Sequence, residues 1–266
     1  MVFRVFLITA CILISYNEHN KMSFEIDASK RPMDNELSGS FKPSFKFEEE
    51  QAVDHSIWND LLKKYVDTTG NVDYNKFKND AKSLEEYLSY LAKNVPVEGT
   101  DKNVLLAYYI NLYNAATVKL ILDNYPINSI KNLNGPWGKK WVKVGTDLLS
   151  LGHIEHKILR KMNEPRIHFA INCASFSCPK LLNEAFVAHK MESQLQQATK
   201  DFINDNTRNI ITEGRLQLSN IFKWYKKDFT NNNALVAYIN AYTSKNIESD
   251  AKIEYLKYNW NLNEIK

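Results

Sequence analysis

Apolar residues recur with helical spacing in three stretches of the first half of the chain. These stretches cover residues 57–66, 83–93 and 104–122. The third stretch is apolar nearly all round its circumference, so it is predicted to be a helix in the centre of the core. Asn111 and Asn114 interrupt it on one face, and buried amides need hydrogen-bond partners. That face is therefore predicted to meet polar groups.

Shorter stretches of the second half have the alternation or the turn residues that are typical of strands. Residues 141–149 predict a hairpin that turns at Gly145 and Thr146, and Ser150 is placed to cap a helix over 151–162. The remaining predicted elements are helices over 189–204 and 234–243, a hairpin of 209–212 with 215–218, and a closing strand over 253–260. Because helices outweigh strands and turns join most strands, the predicted fold class is α+β. We expect one helix-dominated domain with a small, mostly antiparallel sheet.

A strand is also predicted over residues 166–172, with Cys173 at its end. On such a strand Ile167, Phe169 and Cys173 share one face, and His168 points to the opposite face. The residues after the cysteine are small, which leaves room for a ligand to approach the sulfur. His168 is therefore expected to face away from Cys173.

The N-terminal residues form a separate segment. Residues 2–15 are an apolar run behind a single cation, Arg4, and they are too short to span a bilayer comfortably. We predict a signal segment over 1–20, a polar tether over 21–51 and one globular domain over 52–266. The protein is then exported to the periplasm or the extracellular space, and only this segment would meet a membrane. An uncleaved anchor, an apolar tail packed on the domain, and a lipid attached at Cys11 are the alternatives.

Composition excludes several classes of protein. The 266 residues are 44% hydrophobic and 24% charged, which is the balance of a globular chain and not of a disordered one. The formal net charge is only +3, so nucleic acid is not expected as a partner. Three cysteines are too few for a disulfide-dense scaffold. The oligomeric state does not follow from the sequence.

Glu155 stands out because it lies within the apolar stripe of the helix predicted after Ser150. It follows Leu151 by four residues and precedes Leu159 by four, so burial of the stripe would bury the carboxylate as well. A buried carboxylate must be paired, protonated or placed at the edge of a cavity. His156 lies at the flank of the same stripe. The alternative is that Glu155 marks a solvated edge of the helix.

Cys173 is the candidate nucleophile. A thiol at the end of a strand, near a histidine, can be activated when the imidazole takes its proton. Two alternatives remain, an inert buried cysteine and a disulfide with Cys178. A zinc site of His153, His156, Cys173 and Cys178 is disfavoured by its spacing, and no metal or other cofactor is expected.

Five ordered motifs resemble the domain of unknown function 547 family. They lie at residues 111–115, 149–160, 166–179, 221–225 and 258–263, within a resemblance that covers roughly residues 80–263. The family pattern implies that Asn111, Asn114, Glu155 and His156 share one site with Cys173. It also weighs against a disulfide, because some family members carry serine at the position of Cys178. This chain departs from the pattern at Asn259, where aspartate is usual.

We hypothesise a thiol hydrolase or acyl-transfer enzyme, papain-like or transglutaminase-like, that acts on an amide or a peptide. Cys173 would be the nucleophile and His156 the general base, while Glu155 orients the site. Asn111 or Asn114 would donate to the oxyanion. The residues predicted to contribute to binding are Tyr113, His168 and Ser175. The rival hypothesis is a cell-envelope binding or structural module whose buried polar residues only determine packing.

Overall fold

The computed structural model describes residues 53–230 and 234–266, and four helices make up its first part. They are α1 (Ser56–Tyr65), α2 (Tyr74–Phe77), α3 (Ala81–Lys93) and α4 (Lys102–Asn124). Three of them lie where the apolar spacing predicts helices. The predicted signal segment and tether lie outside the described residues.

Helix α4 runs through the core, as its all-round apolar surface predicts. By length and composition it is the one helix of the described ranges that could cross a membrane. However, 72% of its most apolar window is buried inside the fold, so its apolar side chains already have protein neighbours. Asn111 and Asn114 are buried on this helix with them.

A hairpin leads into the segment that carries Glu155. Strands β1 (Val142–Val144) and β2 (Asp147–Leu149) pair antiparallel around the predicted turn. Ser150 then caps α5 (Leu151–His153), since its hydroxyl accepts the His153 N–H at 3.1 Å. The helix continues as a π-helical turn over Ile154–Ile158 and a 3₁₀ turn over Leu159–Met162. Such π turns often occur at functional sites.

The strand predicted over 166–172 is wrong. Residues Pro165–Phe169 form a 3₁₀ helix, which proline begins and the Glu164 carboxylate caps by accepting the Arg166 N–H. The alternation of apolar residues misled the prediction because the whole segment is buried: His168 and Ala170 are as inaccessible as Ile167 and Phe169. A chain buried on all sides gives no reliable period.

The C-terminal part is a mixture of short helices and strands. In chain order its elements are α6 (Met191–Asn204), β3 (Ile210–Ile211), β4 (Arg215–Leu218), α7 (Asn220–Trp224), α8 (Lys226–Phe229), α9 (Leu235–Asn240) and β5 (Lys252–Tyr255). Strands β3 and β4 pair antiparallel, whereas β4 and β5 pair parallel, with Leu216 opposite Ile253. Two of the three strand pairings are thus antiparallel, and the predicted helix-dominated α+β class is confirmed.

The described residues bury two apolar clusters. The larger contains the first four helices, and the smaller contains α6, the three-stranded sheet and the helices between β4 and β5. Trp260, in the segment after β5, packs against both clusters. The same segment hydrogen-bonds to the loop that follows Cys173: Phe176 donates its N–H to the Asn261 carbonyl at 2.7 Å. The C-terminal segment therefore joins the two clusters beside the cysteines.

Candidate functional site

An open pocket of about 350 Å³ lies where the two clusters meet. It is lined by five of the residues that the sequence analysis selected: Tyr113, Glu155, His156, His168 and Cys173. Its other walls are largely aromatic and include Trp137, Trp224, Tyr225, Tyr258 and Trp260. Cys178 lies in the same pocket. The fold thus collects side chains from five other stretches of sequence around the stretch that carries the two thiols.

Two buried amides hold the loop that carries both cysteines. Asn114 accepts the Asn172 N–H at 2.8 Å and donates to the Ala170 carbonyl at 3.0 Å. Asn172 then closes the loop, since its side chain accepts the Ala174 N–H and donates to the Pro179 carbonyl, each at 2.7 Å. Ala174 has a left-handed φ of 58°, which is unusual for a residue with a Cβ. The neighbour of Cys173 is therefore held in a strained conformation by these bonds.

Asn111 also binds main chain. It donates to the Phe186 carbonyl at 2.7 Å and accepts the Phe186 N–H at 3.0 Å. Both asparagines of α4 thus meet polar groups, as predicted, but those groups belong to the backbone. Neither amide lines the pocket. The predicted oxyanion role has no support in this geometry, because both ends of each amide are already used to pair buried peptide groups.

The two sulfur atoms share a set of hydrogen-bond donors. Cys178 Sγ receives the Cys173 N–H at 3.1 Å, the Tyr258 hydroxyl at 3.2 Å and the Ser175 hydroxyl at 3.3 Å. Cys173 Sγ lies 3.2 Å from the Ser175 hydroxyl and 3.7 Å from the Tyr258 hydroxyl. Both cysteines are free thiols in the structure, and Cys173 is the more exposed of the two. Ser175, which was predicted to contribute to substrate binding, therefore hydrogen-bonds to the sulfurs.

This arrangement shifts the pKa values of the two thiols in opposite directions. The hydrogen bond with Cys178 and burial raise the pKa of Cys173 well above its usual value. Burial opposes ionisation of Cys178 as well, but the hydrogen bonds from Cys173, Ser175 and Tyr258 hold the pKa of Cys178 below that of a free thiol. The pair thus loses its first proton readily and its second with difficulty. The resulting negative charge is concentrated on Cys178, because this sulfur accepts the Ser175 and Tyr258 hydroxyls and also the Cys173 backbone N–H.

Glu155 is buried, as the apolar stripe predicts, and its carboxylate faces the pocket. Two tyrosine hydroxyls donate to it: Tyr225 makes a short bond to Oε1, and Tyr113 lies 3.4 Å from Oε2. Burial and the carboxylate raise the pKa of both tyrosines, so both hydroxyls remain donors at neutral pH. The predicted alternative of a solvated helix edge does not describe Glu155.

His156 does not contact Cys173. Its side chain is 47% exposed, and Nδ1 lies 3.7 Å from Glu155 Oε1 and 3.4 Å from the Arg160 guanidinium. Within the described ranges it makes no hydrogen bond with either sulfur. The physical reason is the helical turn, in which successive side chains diverge by about 100°. Burial of Glu155 therefore turns His156 toward the rim.

His168 faces the pocket, contrary to the expectation from a strand. It stacks on Tyr225 with 3.9 Å between ring centroids, and its Nε2 lies 2.8 Å from Asp228 Oδ2. Burial raises the pKa of Asp228, but Arg160 and His168 outweigh it and hold this pKa well below its usual value. Burial disfavours the charged form of His168 as well, and it lowers the pKa of this imidazole although Asp228 lies beside it. The neutral ring thus carries its proton on Nε2, which leaves Nδ1 as the lone pair.

The sequence analysis missed several residues of this site. Tyr225 and Tyr258 were part of the family-like motifs, but nothing in their spacing indicated contacts with Glu155 or the sulfurs. Asp228 carried no signal at all. Cys178 was considered only as a disulfide partner or a metal ligand. Across residues 53–230 and 234–266 no group of three or more His, Cys, Asp or Glu is arranged to hold a metal ion.

Comparison with known proteins supports the resemblance found from the motifs. Residues 97–203 match the family model described as "Protein of unknown function, DUF547". The resemblance to the DUF547 family is therefore supported for residues 97–203. Neither the curated proteins nor the solved structures contain a match. Most of the pocket's polar residues lie inside the DUF547 match, whereas Tyr225 and Tyr258 lie after it. Asp228, which contacts His168, also lies after it.

Proposed function

We propose that this protein is a cysteine-dependent enzyme that hydrolyses or transfers the acyl group of an amide or a peptide. The observation that carries the proposal is a pair of thiols, Cys173 and Cys178, that lie in the wall of an open pocket and share the hydroxyls of Ser175 and Tyr258. The packing of two buried cysteines does not require that their sulfurs share hydroxyl donors. A buried inert cysteine needs no such donors.

The two cysteines take different roles in this proposal. Cys173 is the nucleophile because it is the more exposed sulfur and begins the strained loop. Cys178 is the proton acceptor, since its lowered pKa makes it the ionised sulfur and its Sγ already accepts the backbone N–H of Cys173. It replaces His156, to which the sequence hypothesis gave this role, because His156 makes no contact with the thiol.

The reaction balances with these two residues. As Cys173 Sγ bonds to the carbonyl carbon, its proton passes to the Cys178 thiolate, and a tetrahedral oxyanion forms. The intermediate then breaks its carbon–nitrogen bond, and the departing amine takes the proton from Cys178. Water attacks the thioester and gives one proton to Cys178, after which Cys173 leaves the carbonyl carbon and regains its proton. An amine acceptor in place of water gives acyl transfer.

His168 is the residue placed to assist at a second position. Asp228 holds its Nε2–H, as an orienting carboxylate holds the ring in a catalytic triad. The Nδ1 lone pair makes no hydrogen bond with either sulfur in the described structure. We therefore assign His168 to the bound substrate or water and not to the thiol itself.

Turnover of a panel of aminoacyl anilides, peptides and thioesters tests the proposal. We expect Cys173→Ala to abolish turnover, and Cys178→Ala to lower kcat about 10²- to 10⁴-fold, the usual contribution of a general base. Tyr255→Phe, which changes a tyrosine of β5 away from both sulfurs, should leave turnover unchanged. Retained turnover in Cys173→Ala refutes the proposal. Failure of the whole panel, together with a thiol pair in which neither sulfur is more reactive than free cysteine at pH 6, supports the binding module instead.

A further inference from the structure

Glu155 is a buried carboxylate that the proposed thiol chemistry does not use. It is 6% exposed, it lines the pocket, and its hydrogen-bond donors are the neutral hydroxyls of Tyr113 and Tyr225. A buried carboxylate without a cationic partner costs several kcal/mol. We propose that the missing partner is a ligand, and that this pocket binds a positively charged amino group of the substrate.

The neighbouring cation, Arg160, is engaged elsewhere. Its Nε lies 2.6 Å from Asp228 Oδ2 and its second terminal nitrogen lies 2.8 Å from Asp228 Oδ1, which is a bidentate pair. The remaining terminal nitrogen lies 3.4 Å from His156 Nδ1. Arginine therefore satisfies Asp228 and not Glu155.

The neighbouring imidazole does not bind the carboxylate either. His156 Nδ1 lies 3.4 Å from a terminal nitrogen of Arg160, and guanidinium nitrogens only donate. The same Nδ1 lies 3.7 Å from Glu155 Oε1, which is beyond hydrogen-bond distance. Neither Arg160 nor His156 therefore makes a hydrogen bond to the Glu155 carboxylate.

The remaining walls suit an ammonium group. Trp224, Tyr258 and Trp260 pack into one aromatic cluster, with ring centroids 4.9 Å apart for Trp224 and Tyr258 and 4.5 Å apart for Tyr258 and Trp260. Aromatic faces attract cations, and cages of such rings recognise ammonium groups. The Trp260 ring already has a cation near it, since Lys131 Nζ lies 5.2 Å from its centroid. Aromatic faces and one buried carboxylate therefore favour a cation over an anion or a neutral group.

The assignment of this cation to a substrate rests on the proposed function. The substrate would then be an amide or peptide that carries a free amino group, with Glu155 binding the ammonium and Cys173 attacking a carbonyl. Glu155 would set specificity and not take part in bond breaking. Acylation of the amino group should remove the preference.

Calorimetric titration of the full chain tests the inference without turnover, in a Cys173→Ser background. Two matched pairs serve as probes: leucinamide against N-acetyl-leucinamide, and choline against its uncharged isostere dimethylbutanol. We expect at least one ammonium probe to bind about tenfold or more tightly than its neutral partner. Glu155→Gln should remove the difference, whereas Glu213→Gln, at an exposed glutamate, should retain it.

The outcomes separate this inference from the proposed function. If neither ammonium probe binds better than its neutral partner, the inference is wrong even when Cys173 proves catalytic. If an ammonium probe binds in the manner expected and no acyl donor is turned over, the cation site stands and the hydrolase proposal fails. Should Glu155→Gln not fold, Trp224→Ala replaces it, because this indole is 47% exposed and its removal should weaken ammonium binding alone. An unchanged ammonium preference in whichever of the two variants is used overturns the inference.

Discussion

Removal of the Tyr258 hydroxyl should change the pKa of the thiol pair by an amount that follows from the structure. Its hydroxyl donates to Cys178 Sγ at 3.2 Å, and Tyr258→Phe removes this donor while retaining the ring that packs on Trp224 and Trp260. A hydrogen bond to a charged acceptor contributes about 1.5–3 kcal/mol, and one pKa unit corresponds to about 1.4 kcal/mol. Loss of the donor destabilises the thiolate, so the first pKa of the pair should rise by about 1–2 units.

The rate of alkylation by iodoacetamide, measured from pH 5 to pH 9 with mapping of the labelled cysteine, reports this pKa. At pH 6 the variant should react about 5- to 50-fold more slowly than the wild type, because the thiolate fraction of a thiol with a pKa of about 6 falls by that factor. Tyr255→Phe is the matched control and should react like the wild type, since the hydroxyls that hydrogen-bond to the sulfurs in the described residues are those of Ser175 and Tyr258. An unshifted profile in a folded Tyr258→Phe variant would refute the electrostatic account of the pair.

Three further predictions concern the scaffold, and unfolding in urea measures each. Asn114→Ala leaves two buried backbone groups unpaired and should lower the free energy of unfolding by about 2–5 kcal/mol. The control Asn124→Ala, at the exposed end of the same helix, should lower it by less than about 0.5 kcal/mol. Equal losses in the two variants would contradict the role of Asn114. Burial lowers the pKa of His55 to about 4, so the unfolded chain takes up its proton first as the pH falls below about 6.5. Stability should therefore drop by about 2 kcal/mol between pH 7 and pH 5, and His55→Gln should abolish this part of the pH dependence. Gly70 has a φ of 84°, and a Cβ there would lie 2.7 Å from Lys180 Cα. Gly70→Ala should therefore lower the free energy of unfolding by about 1–3 kcal/mol. An unchanged stability would contradict the close contact with Lys180.

Local sequence patterns correctly predicted the elements in which apolar residues recur with a single clear period. Helix α4 is an example: its all-round apolar surface indicated a central position, and its two asparagines indicated polar contacts within the core. The hairpin before Ser150 and the capping role of that serine also followed from short-range signals. In each case the signal in the sequence lies within a few residues, although the partners of the two asparagines are more than 50 residues away.

The errors arose where burial on all sides hides the period. Residues 166–172 alternate like a strand, yet they form a 3₁₀ helix and a loop, and so His168 lies in the pocket. The family resemblance placed Glu155 and His156 in one site, but only the phase of the helix decides which of them turns inward. That phase depends on the π-helical turn, which no local residue preference indicated.

The chemistry of the site depends on contacts between distant parts of the chain. Tyr258 reaches the sulfurs from 80 and 85 residues away, and Tyr225 reaches Glu155 from 70 residues away. No pattern in a single sequence links such positions. The sequence therefore indicated the cysteine and the carboxylate but not the donors that tune them, and for this reason it favoured His156 over Cys178 as the base.

Intact-protein mass spectrometry of the acylated enzyme tests the central claim most directly. The protein is mixed with an activated acyl donor that carries a free amino group, quenched in acid within seconds, and digested to locate the modification. The account predicts one acyl group per chain, bound as a thioester to Cys173, absent in Cys173→Ala and slower to form in Cys178→Ala. An acyl group on Cys178 would reverse the assigned roles. An unmodified protein under conditions that acylate free cysteine would contradict the claim that this pocket performs thiol chemistry.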